Sequence, residues 1–142
     1  MMNQEVRRIM TTNPVVANPQ QTISDVSNLM IENQLQQLPV VDEGKLVGLI
    51  TTHDLWKRLE TTSSLSNLQV KDVMNTHVVK IQPKDKVGTA AELFADKRFK
   101  TLPVVNLSGE LKGVITAFDL IRVVFREQYK EPILFREAFS PQ

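Results

Sequence analysis

The chain contains the same pattern of residues twice, and this internal duplication constrains its fold more than any other feature. Residues 6–42 align without a gap with residues 70–106, and ten of the 37 positions are identical. After one inserted residue, 44–59 align with 109–124, with seven of 16 positions identical. Within the second block the copies read GLITTHD at 48–54 and GVITAFD at 113–119. Because a unit of about sixty residues is marginal alone, the apolar faces of the two copies are expected to pack together.

Each copy has the same predicted order of elements: strand, helix, strand, strand, helix. Apolar residues recur every three or four positions in 22–34 and 86–98, which predicts amphipathic helices. LPVVD and LPVVN, each followed across a turn by a short β-branched run, predict a strand pair. A second helix is expected at each Thr-x-x-Asp. The predicted fold class is therefore α/β (α+β): β-α-β-β-α repeats at 6–59 and 70–125, a polar linker at 60–69, and an extension at 126–142.

Composition excludes several classes of function. With 17 basic and 16 acidic residues, the net charge of +1 provides no global field for nucleic acid or an anionic membrane. There is no cysteine, and His53 and His77 lack metal-site spacing. No stretch approaches the roughly 18 consecutive apolar residues that a membrane span needs, so a cytoplasmic location is expected. Because no nucleophile elbow, Gly-rich phosphate loop or paired-carboxylate arrangement appears, we predict no enzyme activity and no required cofactor.

The Thr-x-x-Asp segments, 51–54 and 116–119, allow two interpretations. In a capping box the threonine accepts from a backbone N–H one turn on and the acid accepts from the threonine's own N–H, with no ligand involved. The same helix N-terminus also offers unpaired N–H groups and partial positive charge, which suit a phosphate. Because an aspartate would repel that phosphate, its useful partner is a ribose diol, which offers two donors to one carboxylate. The residues alone leave both interpretations open.

These motifs, taken in order, resemble the cystathionine-β-synthase (CBS) domain family, whose domains occur as tandem pairs called Bateman modules. The likeness is carried by VRRIMTTNPVVANPQQTI, LPVVD and GLITTHDL in the first copy. In the second copy it is carried by VKDVMNTHVVKIQPKDKV, LPVV and GVITAFDL. The resemblance implies two repeats packed with pseudo-two-fold symmetry, with clefts between them that bind AMP, ADP, ATP or S-adenosylmethionine as a regulatory ligand. It also implies a homodimer formed through helical faces.

The resemblance further implies which residues contact the ligand. Each Thr-x-x-Asp would supply a hydroxyl near phosphate and a carboxylate for the ribose, while residues 11–15 and 76–79 would approach the base. Each cleft would combine the segment at the LPVV of one repeat with the Thr-x-x-Asp of the other. The expected ligand-binding residues are Thr12, Asn13, Pro14, Val15, Gln36, Gln37, Leu38, Pro39, Thr51, His53, Asp54, His77, Val78, Lys100, Thr101, Leu102, Pro103, Thr116, Phe118 and Asp119.

On this basis the two clefts are expected to be unequal. Lys100 would face the first Thr-x-x-Asp, which also holds His53, whereas Gln36 and Gln37 would face the second, which holds Phe118 and no basic residue. The alternatives are a solvated surface lysine and, for 11–15 and 76–79, plain strand packing. Trp56, which follows the first motif, is expected to serve packing rather than recognition.

Two functional hypotheses follow. The first is a stand-alone adenine-nucleotide sensor that acts on an unidentified protein in trans, because the repeat pair occupies nearly the whole chain and no fused catalytic or DNA-binding domain is expected. The second is a ligand-free interaction or dimerisation module. The extension at 126–142, where Pro132 interrupts any helix, carries an apolar cluster that could cap the core, cover a dimer partner or dock on another protein.

Overall fold

The computed structural model describes residues 2–61, 67–96 and 99–128. Part of the expected linker and residues 129–142 of the expected extension therefore lie outside the described residues, as does the apolar cluster of that extension. The helices and strand pairs predicted from the sequence are confirmed. In chain order the elements are η1 (Val6–Arg8), α1 (Ile23–Asn33), β1 (Gln37–Asp42), β2 (Lys45–Thr51), α2 (Thr52–Thr61), α3 (Val70–Val73), α4 (Val87–Ala95), β3 (Thr101–Val105), β4 (Leu111–Thr116) and α5 (Ala117–Gln128).

Each repeat contains one antiparallel hairpin, β1 with β2 and β3 with β4. The first hairpin turns at Glu43 and Gly44, both with positive φ (51° and 83°), a geometry that matches the twist of the flanking strands. The inserted residue lengthens the second turn. There the Asn106 side chain accepts hydrogen bonds from the backbone N–H groups of Ser108 (3.0 Å) and Glu110 (2.9 Å), which holds the longer loop in place.

The predicted first strand of each repeat is reduced to a single parallel bridge, Ala17 with Val40 and Ile81 with Val104. The Ala17 N–H donates to the Pro39 carbonyl (2.9 Å), and the Val41 N–H donates to the Ala17 carbonyl (2.8 Å). The next donor in the ladder would be the residue two positions on, which is proline in both repeats, Pro19 and Pro83. Because proline has no backbone N–H, the pairing ends there.

The two repeats exchange their N-terminal segments. Val6 is fully buried in the second repeat's core, where Ile9 and Met10 also pack. Val70 is fully buried in the first repeat's core, where Val73 and Met74 also pack. The expected packing of copy against copy therefore takes the form of two separate cores, each completed by η1 or α3 of the other copy. The other buried residues of the first core are Ala17, Ile23, Val26, Met30, Leu38, Val40, Ile50 and Leu55, and those of the second are Ile81, Val87, Ala90, Leu102, Val104, Ile115 and Leu120.

Cross-repeat backbone bridges occur in equivalent pairs, which gives the molecule its pseudo-two-fold symmetry. Thr11 pairs with Val114, and its counterpart Asn75 pairs with Leu49. Glycines in the adjacent strands make this close approach possible: a Cβ on Gly113 would lie 2.6 Å from the Thr11 carbonyl oxygen. The same kind of contact in the other copy explains why GLITTHD and GVITAFD share their first glycine.

The outer faces of α2 and α5 expose large apolar side chains. Trp56 is 60% exposed and Leu59 is 53% exposed on α2, and Ile121 is 62% exposed on α5. Trp56 therefore does not fill the core of its own repeat, and its expected role in packing stays a prediction. In the part of the chain that is described, none of the helices combines the length and apolar character required to cross a bilayer.

Candidate functional site

The first Thr-x-x-Asp forms a complete capping box at the start of α2. The Asp54 N–H donates to Thr51 Oγ1 (3.1 Å), and the Thr51 N–H donates to Asp54 Oδ2 (3.3 Å). The Thr51 hydroxyl also donates to the same carboxylate oxygen (2.8 Å). Thr51 ends β2, so the buried strand delivers its side chain to the helix N-terminus. Asp54 is half-buried and Oδ1 is free of the hydrogen bonds that cap the helix.

The second Thr-x-x-Asp repeats this geometry at the start of α5. The Asp119 N–H donates to Thr116 Oγ1 (3.1 Å), and the Thr116 N–H donates to Asp119 Oδ2 (2.9 Å). Asp119 is buried, with 7% of its surface exposed. Its Oδ1 lies 4.0 Å from Nη2 of Arg122, one turn further along α5. Capping therefore engages Oδ2 in both motifs and leaves Oδ1 available for another donor.

The cross-repeat bridges bring each motif next to the N-terminal segment of the other repeat. Because Thr11 pairs antiparallel with Val114 near the end of β4, the N-terminal segment of the first repeat lies beside the strand that leads to the second motif. We call this region the second cleft. Asn75 pairs antiparallel with Leu49 near the end of β2, so the N-terminal segment of the second repeat lies beside the strand that leads to the first motif, and we call that region the first cleft. Thr12, Asn13 and His77 are exposed, and Pro14, Val15 and Val78 are half-buried.

The residues before each LPVV lie beside the motif of their own repeat by backbone pairing. Gln37 is in register with Thr51, and Thr101 is in register with Thr116. Their neighbours reach across the repeats, because Lys100 Nζ lies 3.4 Å from Gln36 Oε1. These two residues occupy equivalent positions in the two copies, so their contact marks the pseudo-two-fold axis. The Lys100 ammonium thus lies next to the segment that borders the first motif.

Four of the expected cleft residues are buried. Leu38 and Leu102 are fully buried, and Pro39 and Pro103 are also buried. The carbonyl oxygens of the two prolines accept the hydrogen bonds that hold Ala17 and Ile81. Consecutive residues of each strand are buried, which indicates that both faces of the strand are covered, and contact of these four residues with a ligand stays a prediction.

Arg122 is a site residue that the sequence analysis missed. Its guanidinium carbon lies 4.9 Å from the centre of the Phe118 ring, and the same group approaches Asp119. Phe118 itself is 63% exposed, so the cation and the ring form an accessible pair at the edge of the second cleft. The signal was available, because Arg122 follows Asp119 by three positions and helical residues three apart are neighbours. The expectation of no cation beside the second motif considered only the motif itself and the glutamines.

His53 is exposed at the start of α2, and it does not cluster with other possible metal ligands. Among residues 2–61, 67–96 and 99–128, no group of three or more histidine, aspartate or glutamate residues could hold a metal ion. The side-chain oxygen of Gln37 is buried and has no hydrogen-bond partner in this described part of the chain. The clefts present carboxylate acceptors, helix N-termini, hydroxyls and nearby cations, groups that can recognise a polar ligand.

Known proteins share this architecture. Curated relatives include MJ1225 of Methanocaldococcus jannaschii, an uncharacterised protein (30% identity over 131 residues, 84% of this chain and 47% of that protein). Inosine-5'-monophosphate dehydrogenase of Bifidobacterium longum is 36% identical over 124 residues, 86% of this chain and 22% of the enzyme. The chain thus spans less than half the length of these two relatives. The CBS domain-containing protein YhcV of Bacillus subtilis is 30% identical over 115 residues, 81% of each chain.

Solved structures agree with the sequence relatives. CBSX2 in complex with AMP gives a TM-score of 0.76 at 27% identity, covering 87% of this chain and 98% of that one. CBSX2 is a CBS-pair protein from Arabidopsis thaliana. The CBS domain pair of MJ0100, in complex with 5'-methylthioadenosine and S-adenosyl-L-methionine, gives a TM-score of 0.73 at 26% identity, covering 87% and 98%. The family model of the CBS domain matches residues 6–56 and again 70–126. The chain therefore belongs to the CBS-domain family and carries two copies of the domain.

Proposed function

We propose that the chain is a regulatory module that binds an adenosine-containing ligand in the two clefts. The observation that carries this proposal is the crossed construction, in which each Thr-x-x-Asp adjoins the N-terminal segment of the other repeat. A ligand in either cleft therefore touches both repeats and can change their relation. The AMP complex of CBSX2 and the S-adenosyl-L-methionine complex of MJ0100 support this class of ligand.

Each part of the cleft has a proposed role. The free Oδ1 of Asp54 or Asp119 accepts from a ribose hydroxyl, while Oδ2 maintains the helix cap. The N-termini of α2 and α5 favour a negative group nearby. Residues 12–15 and 76–79 present backbone groups and apolar side chains to the base. We assign no catalytic role to these residues, because the proposed chemistry needs binding alone.

Signalling requires that the ligand bind one state of the protein better than another. The helices that begin at the motifs, α2 and α5, are the same helices that expose Trp56, Leu59 and Ile121. We propose that these faces form a homodimer, and that ligand binding at the helix N-termini changes its geometry or its affinity for a regulated protein. Light scattering at micromolar concentration should report a dimer, and a monomer with and without nucleotide would contradict this.

The test is titration calorimetry with AMP, ADP, ATP, adenosine, S-adenosylmethionine and GMP, after a thermal-shift panel of the same compounds. Asp54→Asn and Asp119→Asn retain an oxygen that accepts a hydrogen bond, so the loss of capping should be at most about 1 kcal/mol. Ribose recognition should lose more, about tenfold or greater in affinity per cleft.

Asp85→Asn is the matched control. Its carboxylate accepts from the N–H of Gln82, three residues earlier (2.7 Å), as the two motif carboxylates do, and it is remote from both motifs in sequence. The control should lose a similar amount of stability and no affinity. Unchanged nucleotide affinity in Asp54→Asn, Asp119→Asn and the double variant would remove the ribose assignment.

A ligand-free interaction module is the second candidate, and one observation favours it. Both capping boxes are complete without any ligand, and the outer helical faces are apolar. In that case none of the adenine compounds raises the melting temperature, whereas the assembly state still depends on Trp56 and Ile121.

A further inference from the structure

A groove of about 420 Å³ runs beside the second motif, between the η1 segment and one face of α5. Arg8 lies on the η1 side, and Asp119, Arg122, Arg126 and Glu127 lie along the helix. Arg122, Arg126 and Glu127 follow Asp119 by three, seven and eight positions, and these spacings place all four residues on one face of the helix. The groove therefore begins at the carboxylate that caps α5 and continues along the helix away from it.

Within the described residues, the guanidinium groups in this groove are only weakly paired with acids. Arg8 and Arg126 form no ion pair within the described residues, and Arg122 approaches Asp119 only to 4.0 Å. Arg122 and Arg126 are one turn apart on α5, a like-charge spacing that disfavours the isolated helix. A third cation faces them from η1. The whole chain has a net charge of only +1, so this positive charge is local rather than part of a basic surface.

The walls of the groove are held in place by the exchanged segment. Val6, at the start of η1, is fully buried in the second core, and its N–H donates to the Asp85 carbonyl (2.7 Å). Beyond Arg8, the Thr11 N–H donates to the Val114 carbonyl (2.8 Å), and the Val114 N–H donates back (3.0 Å). Arg8 is therefore presented from a backbone anchored on both sides, which limits the ordering required when an anion binds.

The first repeat differs in charge at the equivalent positions. The residues equivalent to Arg8, Arg122 and Arg126 are Asp72, Lys57 and Thr61. Asp72 caps α3, so an acid stands where the second repeat has an arginine. The copies have thus diverged at this surface, and the first repeat does not contain the three arginines of the second at these positions.

We infer that this groove binds the phosphate chain of a polyphosphorylated ligand through Arg8, Arg122 and Arg126. Arginine suits this role because its planar group donates two parallel hydrogen bonds to phosphate oxygens. When the ligand is a nucleotide, the sugar lies at Asp119 and the chain extends along α5. The placement of the sugar at Asp119 rests on the proposed function, whereas the binding of an anion by the groove does not. Free polyphosphate shares the same chemistry, and the experiment separates the two sources.

The experiment is calorimetry on the whole chain with sodium tripolyphosphate, ATP, AMP and adenosine, at low and moderate salt. Arg8→Gln with Arg126→Gln removes two cations at exposed positions that belong to neither core. Lys57→Gln is the matched control, because it removes a cation from the position on α2 that corresponds to Arg122. Wild-type protein should bind tripolyphosphate, and the double variant should lose affinity for tripolyphosphate and ATP by about tenfold. Adenosine binding should be unchanged in both variants.

Absence of tripolyphosphate binding by the wild type, or equal binding by wild type and double variant, would overturn the inference. An equal loss in Lys57→Gln would also overturn it, since net charge alone would then explain the effect. If tripolyphosphate binds in an arginine-dependent way but no adenosine compound binds, the groove stands as a free polyphosphate site and the proposed nucleotide function fails. If adenosine binds and the arginine variants change nothing, the groove assignment fails alone.

Discussion

The two Thr-x-x-Asp motifs have the same cap and different surroundings. In both, the aspartate N–H donates to the threonine oxygen over 3.1 Å, and the threonine N–H donates back to Oδ2. Only in the first does the threonine hydroxyl also donate to the carboxylate. Only in the second is the carboxylate buried and close to an arginine, Arg122. The four-residue motif therefore determines the helix start, and residues outside it determine what each cleft can recognise.

The largest expected effect concerns the close approach of the two repeats beside these motifs. A Cβ at Gly113 would lie 2.6 Å from a backbone carbonyl, that of Thr11. At Gly48 the nearest atom is the flexible side-chain Sδ of Met74 at 2.7 Å, followed by the Asn75 carbonyl oxygen at 3.0 Å. We expect Gly113→Ala to destabilise by about 2–3 kcal/mol and Gly48→Ala by about 1–2 kcal/mol.

Urea unfolding followed by circular dichroism measures both values. Gly109→Ala is unsuitable as a control because Gly109 has a positive φ of 84°. Gly88→Ala, in α4, serves as the control instead. The atom nearest to the added Cβ would be the Met2 carbonyl oxygen, at 3.4 Å. If Gly113→Ala proves as stable as Gly88→Ala, the prediction that the close approach at Gly113 excludes a side chain is wrong.

The next effect compares the cations of the two clefts. Lys100 lies against Gln36 at the border of the first motif, and Arg122 lies against Asp119 and Phe118 in the second. Both side chains are exposed, so each should contribute about 1 kcal/mol to phosphate binding, roughly a fivefold change in affinity. Lys100→Met and Arg122→Met should each weaken AMP binding and leave adenosine binding nearly unchanged.

Calorimetry with AMP and adenosine on the two single variants and the double variant distinguishes one site from two. Lys84→Met, an exposed lysine remote from both motifs in sequence, is the control. If Lys100 and Arg122 serve different clefts, each single variant should lose AMP affinity at one class of sites and keep it at the other. A Lys100→Met protein with full phosphate dependence would return Lys100 to the role of a solvated surface residue.

Much of this architecture could be predicted from the sequence, because duplication doubles every local signal. Periodicity located α1 and α4, and turn residues located both hairpins. The exchange of η1 and α3 could not be predicted. Val6 and Val70 are apolar in either arrangement, and a short segment carries no information about which of two similar cores it enters. The burial of Leu38 and Leu102 could not be predicted for a different reason, since a motif implies proximity to a ligand, whereas the covering of both faces of the strand decides which side chains are buried.

The smallest expected effect concerns the pseudo-two-fold axis, where the copies meet and symmetry would place like residues together. Lys45 and Glu110 occupy equivalent positions and pair as a cross-repeat bridge, flanked by the hydrogen bonds Leu46 N–H to Gly109 O and Leu111 N–H to Gly44 O (both 3.0 Å). Identical charges there would repel, so divergence of one copy to lysine and the other to glutamate removes a conflict that exact duplication would create.

The pKa of Glu110 is lowered by the hydrogen bond from the Asn106 side chain, and further by Lys112 and Lys45. A carboxyl whose pKa is lower in the folded state stabilises the fold above its unfolded pKa, and this contribution disappears as the pH falls through the folded pKa. Glu110→Gln should therefore lower the melting temperature slightly at pH 7. The difference from wild type should shrink as the pH falls below the ordinary value of 4.5, and it should disappear once Glu110 is protonated in the folded protein.

Melting curves of wild type and Glu110→Gln between pH 7 and pH 3 measure this difference, and added salt should reduce it at pH 7 because the group is fully exposed. Lys45→Gln should give part of the same loss, since Lys45 is the weakest of the influences that lower this pKa. A difference that stayed constant with pH would locate the effect in the hairpin loop around Asn106 rather than in charge. In that case divergence at positions 45 and 110 would reflect the longer second turn and not the need to avoid like charges at the axis.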